Sequence, residues 1–197
     1  MATITAESVK ALREQSGAGV MECKRVLVET DGDVEKAVAL LRERGQAAAA
    51  KRADREAKDG LISSYIHPGS RIGVLIEVNC ETDFVARTDE FQKLVRSLAV
   101  QVAGLRPIYT TIDAIPADVV EAKKAELLAD DKIQGKPEAV RAQIVEGQLK
   151  KWYSEVVLTE QPFRDEDRTV GALITEAIAK TGENIRVRRF VRFELGE

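Results

Sequence analysis

Hydrophobic positions in the first 45 residues recur three or four residues apart, in three short stretches separated by polar turns. This spacing predicts three amphipathic helices. Thr5 can cap the first helix and Gly17 can end it, while Asp33 can cap the third, which we expect to stop at Gly45. The apolar positions of the three helices are Val9, Leu12, Val20, Cys23, Val26, Leu27, Val34, Ala37, Val38 and Leu41. Three such helices in so short a span predict a small bundle.

The segment 46–60 has a different character, with four consecutive alanines followed by a run of mixed charges. Alanine favours helix, and Arg52 and Arg55 each have an acidic residue four positions further on. Because the segment has no broad apolar face, we predict an exposed, semi-rigid helical linker. The alternative is that its basic residues contact RNA, although acidic residues lie among them.

Strand patterns begin after the linker. Between Ile72 and Val78, β-branched residues alternate with other residues, which predicts a strand at 71–79 paired in a hairpin with 61–66. Further helices are predicted at 88–104, 116–131, 137–160 and 169–180, a last strand at 184–195, and an irregular segment or short strand at 107–115. This order predicts an α+β fold, in which a small antiparallel sheet packs against helices. We expect a bundle domain at 1–45, the linker at 46–60 and a core domain at 61–197.

Composition and charge narrow the classes of function. The chain is 44% hydrophobic and 32% charged, which is typical of a soluble globular protein. Its net charge is −3 with both signs interspersed, so bulk attraction to nucleic acid is not indicated. The N-terminus does not resemble a secretory signal, and no stretch is apolar enough for a membrane helix. We expect a cytoplasmic protein that binds neither nucleic acid nor membrane directly.

Candidate chemistry is sparse. The single histidine, His67, lies in a turn sequence, and the two cysteines, Cys23 and Cys80, lie in apolar surroundings. We find no nucleotide-binding, metal-binding or catalytic motif, and therefore predict neither an enzyme nor a cofactor. A hydrolase that uses Cys80 with Glu81 and Asp83 is an alternative, but it lacks a base histidine.

Two segments carry apolar residues where polar ones are expected. The connection between the hairpin and the next helix contains Phe84, which either folds back onto the core or projects as a wedge for a partner. In the second helix, Val20 and Met21 are adjacent and point in different directions. One of them can face outward as a contact, or both can be buried in the bundle.

The last strand carries a possible partner surface. Its odd-numbered apolar positions, from Ile185 to Leu195, are expected to face the helices. Phe190 then lies on the solvated face, as does Leu75 on its own strand. Two large apolar groups on a solvated face suggest a dimer interface, although isolated exposed residues are also common.

Three sequence runs together resemble one family. They are S-G-A-G-V-M-E-C-K-R-V-L at Ser16–Leu27, E-V-N-C-E-T-D-F-V-A-R at Glu77–Arg87, and G-E-N-I-R-V-R-R-F at 182–190. The first is similar to T-G-A-G-M-M-D-C-K-K-A-L, a signature of elongation factor Ts, and the other two also resemble that family. The resemblance extends over nearly the whole chain. Val20 departs from it, because the family commonly has methionine there.

The resemblance implies a guanine-nucleotide exchange factor for elongation factor Tu. It implies that the N-terminal bundle is ubiquitin-associated-like and docks on the GTPase through Val20 and Met21. It also implies that the tip Thr82, Asp83, Phe84 and Val85 intrudes beside the nucleotide site and dislodges Mg²⁺. The chain carries one copy of a core module that longer members carry twice, which suggests a homodimer. The alternative is a ubiquitin-associated-like adaptor for some other protein, with the core as a dimerisation platform.

Overall fold

The computed structural model describes residues 4–163 and 168–197 and has the predicted α+β class. The helices are α1 (Ala6–Ser16), α2 (Val20–Glu29), α3 (Val34–Ala50), α4 (Asp83–Ala86), α5 (Asp89–Leu105), α6 (Ala117–Leu128), α7 (Asp131–Gln134), α8 (Glu138–Val156) and α9 (Val170–Thr181). The strands are β1 (Asp59–Ile66), β2 (Ile72–Cys80) and β3 (Arg186–Glu194), and short 3-10 turns lie at Ile112–Ala114 and Leu158–Glu160.

The first three helices form the expected bundle, with the expected caps. The Thr5 hydroxyl accepts a hydrogen bond from the Ser8 amide, Gly17 ends α1 with a φ of 66°, and Asp33 caps α3 by accepting from the Lys36 amide. The buried core of the bundle consists of Val9, Leu12, Cys23, Val26, Leu27 and Ala37. Of the predicted apolar positions, Val20 is the one that faces solvent.

The predicted end of α3 at Gly45 is wrong, because the helix continues to Ala50. Gly45 is an interior position that faces α9: a Cβ added there would lie 3.8 Å from the Ala179 Cβ. Tertiary packing against α9 therefore carries the helix past a residue of low helix propensity. The linker is accordingly helical only in its first five residues, and residues 51–55 form turns rather than helix.

The sheet is small and antiparallel, with the order β1-β2-β3. The hairpin turn lies at His67–Ser70, where the Ser70 amide donates to the His67 carbonyl at 2.9 Å. Near the start of β1, Gly60 has a φ of 138°, and a Cβ there would lie 2.2 Å from the carbonyl oxygen of Val78. Only glycine permits this close backbone approach between the two strands.

The predicted register of β3 is correct in its first half and wrong in its second. Val187 is buried as expected, but Val191, Phe193 and Leu195 are exposed, and the side chain of Arg192 turns inward to donate to the Ala103 carbonyl. The change follows two consecutive exposed residues, Arg188 and Arg189, after which the exposed and the partly buried positions of β3 have exchanged parity.

Contacts between Cα atoms divide the chain into two units. The first comprises the described residues of Met1–Leu61 with Val78–Lys93 and Leu173–Arg186, and thus contains the bundle, the linker, α4 and most of α9. The second comprises Ile62–Glu77, the described residues of Leu94–Ala172 and Val187–Glu197, and in it α6 and α7 pack on α8. Among the described residues, no helix is both long and apolar enough to cross a membrane. The predicted domain boundaries stay a prediction.

Candidate partner-binding site

The segment between β2 and α5 forms a rigid tip. Thr82 caps the single-turn helix α4, and its hydroxyl accepts from the Val85 amide at 3.4 Å. Thr88 then caps α5 by accepting from the Phe91 amide. Phe84 lies on α4 and is 81% exposed, so the expectation that it folds back onto the core is wrong. Exposing a phenylalanine costs about 1.5–3 kcal/mol relative to burying it, so its position requires another explanation.

The neighbours of Phe84 anchor the tip. Ala86 is buried, Val85 is half-buried, and the Asp83 carboxylate forms an ion pair with Arg87 at 2.9 Å. A single turn of helix is not stable alone. These anchors and the Thr82 cap therefore hold the turn so that Phe84 alone projects fully.

Glu183, which follows α9, binds the tip, and the sequence pattern did not single it out. Its carboxylate accepts hydrogen bonds from the Glu81 and Thr82 amides at 3.0 Å each, and from the Thr82 hydroxyl at 2.5 Å. Hydrogen bonds to a charged acceptor are about twice as strong as neutral ones. The only sequence signal for this role is the run G-E-N-I after α9. That run lies far from the tip in sequence, so no local pattern connects the two.

Cys80 is unsuited to the hydrolase alternative. It is buried, and desolvation together with the nearby Glu183 carboxylate raises the pKa of its thiol to about 11. Its thiol donates to the Thr82 carbonyl at 3.2 Å. At neutral pH the nucleophilic thiolate is about one part in ten thousand. Cys80 is therefore a core residue beneath the tip.

The bundle exposes an apolar face on α2. Val20 is 48% exposed and Met21 is 76% exposed, so neither of the two predicted arrangements, with one or both residues buried, is correct. Val28, which the sequence pattern did not single out, is 61% exposed and lies seven residues after Met21 on the same face. These residues form what we call the α2 face (Val20, Met21 and Val28).

Ion pairs hold α2 against α3. Arg44 of α3 contacts Glu22 at 3.2 Å and Glu29 at 2.5 Å, and thereby joins α2 to α3. A hydrogen bond from Arg25 is the largest cause that holds the pKa of Glu22 below its usual value, against the opposing effect of burial. The Arg25 charge and then the hydrogen bond and charge of Arg44 lower this pKa further. The α2 face is thus presented on a helix with a fixed orientation in the bundle.

In the second unit, one face of the sheet is open and apolar. Gly73 lies beneath Ile66, and a groove of about 380 Å³ is lined by Ile62, Leu75 and Val191 among others. We call this the outer sheet face; its exposed apolar members are Ile62, Ile66, Leu75, Val191, Phe193 and Leu195. Leu75 lies on it as predicted. Phe190 is half-buried rather than exposed, and it lines the same groove. Its place in a dimer interface stays a prediction.

Charges beside the outer sheet face are paired. Glu77 forms ion pairs with both Arg188 at 3.7 Å and Arg189 at 2.7 Å. These ion pairs hold both arginines beside β2, at the point where the exposed positions of β3 change parity. Val191 and Phe193 follow this point and are exposed.

Comparison with known proteins places the chain in a family. The model of the family described as Elongation factor TS matches residues 2–197. The protein named elongation factor Ts from Heliobacterium modesticaldum is 56% identical over 98% of this chain and 91% of that relative. Those from Carboxydothermus hydrogenoformans and Moorella thermoacetica are 54% and 56% identical over 98% of this chain, and over 90% and 96% of those proteins. The chain belongs to the elongation factor Ts family.

A role in translation elongation follows from membership of the elongation factor Ts family. The match includes the tip, the α2 face and the outer sheet face, since it extends over both units.

Proposed function

We propose that the protein is a guanine-nucleotide exchange factor for elongation factor Tu, and that Phe84 is the wedge it inserts beside the nucleotide. The observation that supports this most directly is the exposure of Phe84 on an anchored single-turn helix. Aromatic side chains of this kind dominate the energy of many interfaces. Thr82, Asp83 and Val85 shape the tip around it.

The proposed action requires no covalent chemistry. A GTPase holds its nucleotide through Mg²⁺ and a loop that cradles the phosphates. A protein that binds best when that loop is displaced lowers the affinity for the nucleotide. By linkage, incoming GTP lowers the affinity for the exchange factor equally, so the factor leaves unchanged. The protein is thus not an enzyme that makes or breaks bonds, needs no cofactor, and acts in the cytoplasm.

The α2 face supports a docking role for the bundle. It offers Met21, an adaptable side chain, together with Val20 and Val28 on a braced helix. The ubiquitin-associated-like adaptor would use the same face. The two functions differ in outcome, because an adaptor binds the GTPase without accelerating nucleotide release.

The outer sheet face supports a homodimer. Six large apolar side chains are exposed on one small sheet, and the adjacent charges of Glu77, Arg188 and Arg189 are already paired. Exposing an apolar face of this kind to water is unfavourable in a monomer. A second copy can cover it by a two-fold symmetric contact, in which each apolar residue is used twice.

Release of labelled GDP from elongation factor Tu tests the exchange function. We expect the wild-type protein to accelerate release, and the Phe84→Ala protein to be slower by tens of fold. That factor corresponds to the loss of about 1.5–3 kcal/mol from one buried phenylalanine. Because Phe84 makes little contact with its own chain, the substitution should leave the thermal unfolding temperature unchanged.

A matched control is Ile108→Ala, which removes a side chain of similar exposure (65%) in the second unit. We expect this variant to release GDP at the wild-type rate. Exchange at the wild-type rate by a folded Phe84→Ala protein would rule out the wedge, and a wild-type protein that binds the GTPase without accelerating release would favour the adaptor.

A further inference from the structure

Within the first unit, the turn that follows α9 contacts both the tip and the linker. Glu183 accepts three hydrogen bonds from Glu81 and Thr82, as described above. The next residue, Asn184, is 4% exposed, and its side-chain amide donates to the carbonyl oxygens of Ala53 at 3.2 Å and Arg55 at 2.8 Å. Two adjacent side chains thus hold two segments that lie roughly 25 residues apart in sequence.

The contacts between the tip and the turn are reciprocal. Glu183 accepts from the Glu81 amide, and the Glu81 carboxylate accepts from the Asn184 amide at 2.6 Å. Glu81 also forms an ion pair with Arg55 of the linker at 3.6 Å. Each of the three segments is therefore bonded to the other two.

Arg52 adds a further contact between the linker and the turn. Its Nε donates to the Gly182 carbonyl at 2.9 Å, and its Nη1 donates to the Ala48 carbonyl at 2.9 Å. One guanidinium thus joins the ends of α9 and α3. The linker that carries the bundle is therefore held at three positions along 52–55.

We infer that Glu183 and Asn184 are positioning residues, which couple the bundle to the tip so that docking of the bundle delivers Phe84 in a fixed orientation. This inference rests on the proposed function. A flexible linker presents a second binding element at an effective concentration of only about millimolar. A bonded linker avoids that entropic loss, because the geometry is already set in the free protein.

The inference predicts a specific kinetic effect. Asn184→Ala and Glu183→Gln should each lower the rate of GDP release at saturating factor by about tenfold, the effect of one or two lost buried or charged hydrogen bonds. The half-saturating concentration should stay within about twofold of wild type, because the α2 face is intact. A purely structural role has the opposite signature: fewer folded molecules raise the half-saturating concentration and leave the saturated rate unchanged.

Combination with Phe84→Ala sharpens the test. If Asn184 acts through the wedge, the double variant Phe84→Ala, Asn184→Ala should be no slower than Phe84→Ala alone. Gln134→Ala is the matched control, because it removes a side-chain amide that donates to a backbone carbonyl, that of Ala129, in the second unit. It should behave as wild type. If Asn184→Ala does not fold, Arg52→Met replaces it as the test variant, because Arg52 is only half-buried. Arg52→Met should lower the saturated rate of GDP release a few-fold.

A wild-type saturated rate in folded Asn184→Ala and Arg52→Met would overturn the inference, as would full additivity with Phe84→Ala. Amide hydrogen exchange separates this failure from that of the proposed function. In Asn184→Ala, the amides of residues 53 and 55 and of Glu81 should exchange at least tenfold faster than in wild type. Unchanged protection overturns the inference even if the wild-type protein proves not to accelerate GDP release.

Discussion

The tip and the outer sheet face both expose large apolar side chains, but they are built in opposite ways. At the tip, one aromatic residue projects from a single turn of helix that charged hydrogen bonds hold in place. On the outer sheet face, six apolar residues lie together on the three paired strands or directly after them, and the charges beside them are already paired.

The difference shows how exposure of the same residue type can serve two purposes. A single projecting Phe84 buries little area, so it suits intrusion into a pocket of a larger interface whose affinity comes from elsewhere. A broad apolar face on a regular sheet suits a permanent contact with a second flat surface. The anchors of the tip supply orientation rather than apolar area.

The largest effect is expected from Phe193→Glu on the outer sheet face. Two-fold symmetry places the substitution in the interface twice, and each lost phenylalanine is worth about 2 kcal/mol, so the dissociation constant of the dimer should rise by about a thousandfold. Analytical ultracentrifugation at micromolar concentration checks this. Lys124→Glu, which changes a partly exposed charge on α6, should leave the dimer intact. A wild-type protein that sediments as a monomer would contradict the interface.

Phe84→Ala is the reciprocal experiment at the tip. It should slow GDP release by tens of fold, since about 1.5–3 kcal/mol of burial is lost, and leave the sedimentation profile unchanged. If Phe84→Ala also dissociated the dimer, the two surfaces would not be independent and the contrast drawn above would fail.

Met21→Ala on the α2 face should have a smaller effect of a different kind. Removing an exposed methionine from a docking contact should raise the half-saturating concentration of the factor about fivefold, corresponding to about 1 kcal/mol, with the saturated rate unchanged. Titration of the release rate against factor concentration measures both quantities. A lower saturated rate at unchanged half-saturation would assign Met21 to the wedge rather than to docking.

Gly45→Ala should have the smallest effect and tests the packing of α3 on α9. A Cβ there meets only ordinary contacts, at 3.8 Å from Ala179 and 3.9 Å from Thr175. The substitution should therefore raise the free energy of unfolding by about 0.5–1 kcal/mol through helix propensity. Thermal and urea unfolding check this, with Gly17→Ala as the contrast: at a φ of 66° it should destabilise.

Local sequence signals determined much of the fold. Caps at Thr5, Asp33 and Thr88 mark where helices begin, because each side chain satisfies a backbone amide within its own turn. The alternation in β2 likewise marks a strand with one buried face. These features depend on neighbours within about four residues, so the sequence alone sufficed to predict them. The candidate site at Phe84 was indicated only by the resemblance of the surrounding run to the family signature.

Only the tertiary structure decided the features that depend on distant residues. Gly45 does not end α3 because α9 packs against it, and the exposed positions of β3 change parity at Arg188 and Arg189, so that Phe193 is exposed. Phe84 projects because Glu183, about 100 positions away, bonds the tip. No periodicity encodes such contacts, since the partners meet only when the chain has folded.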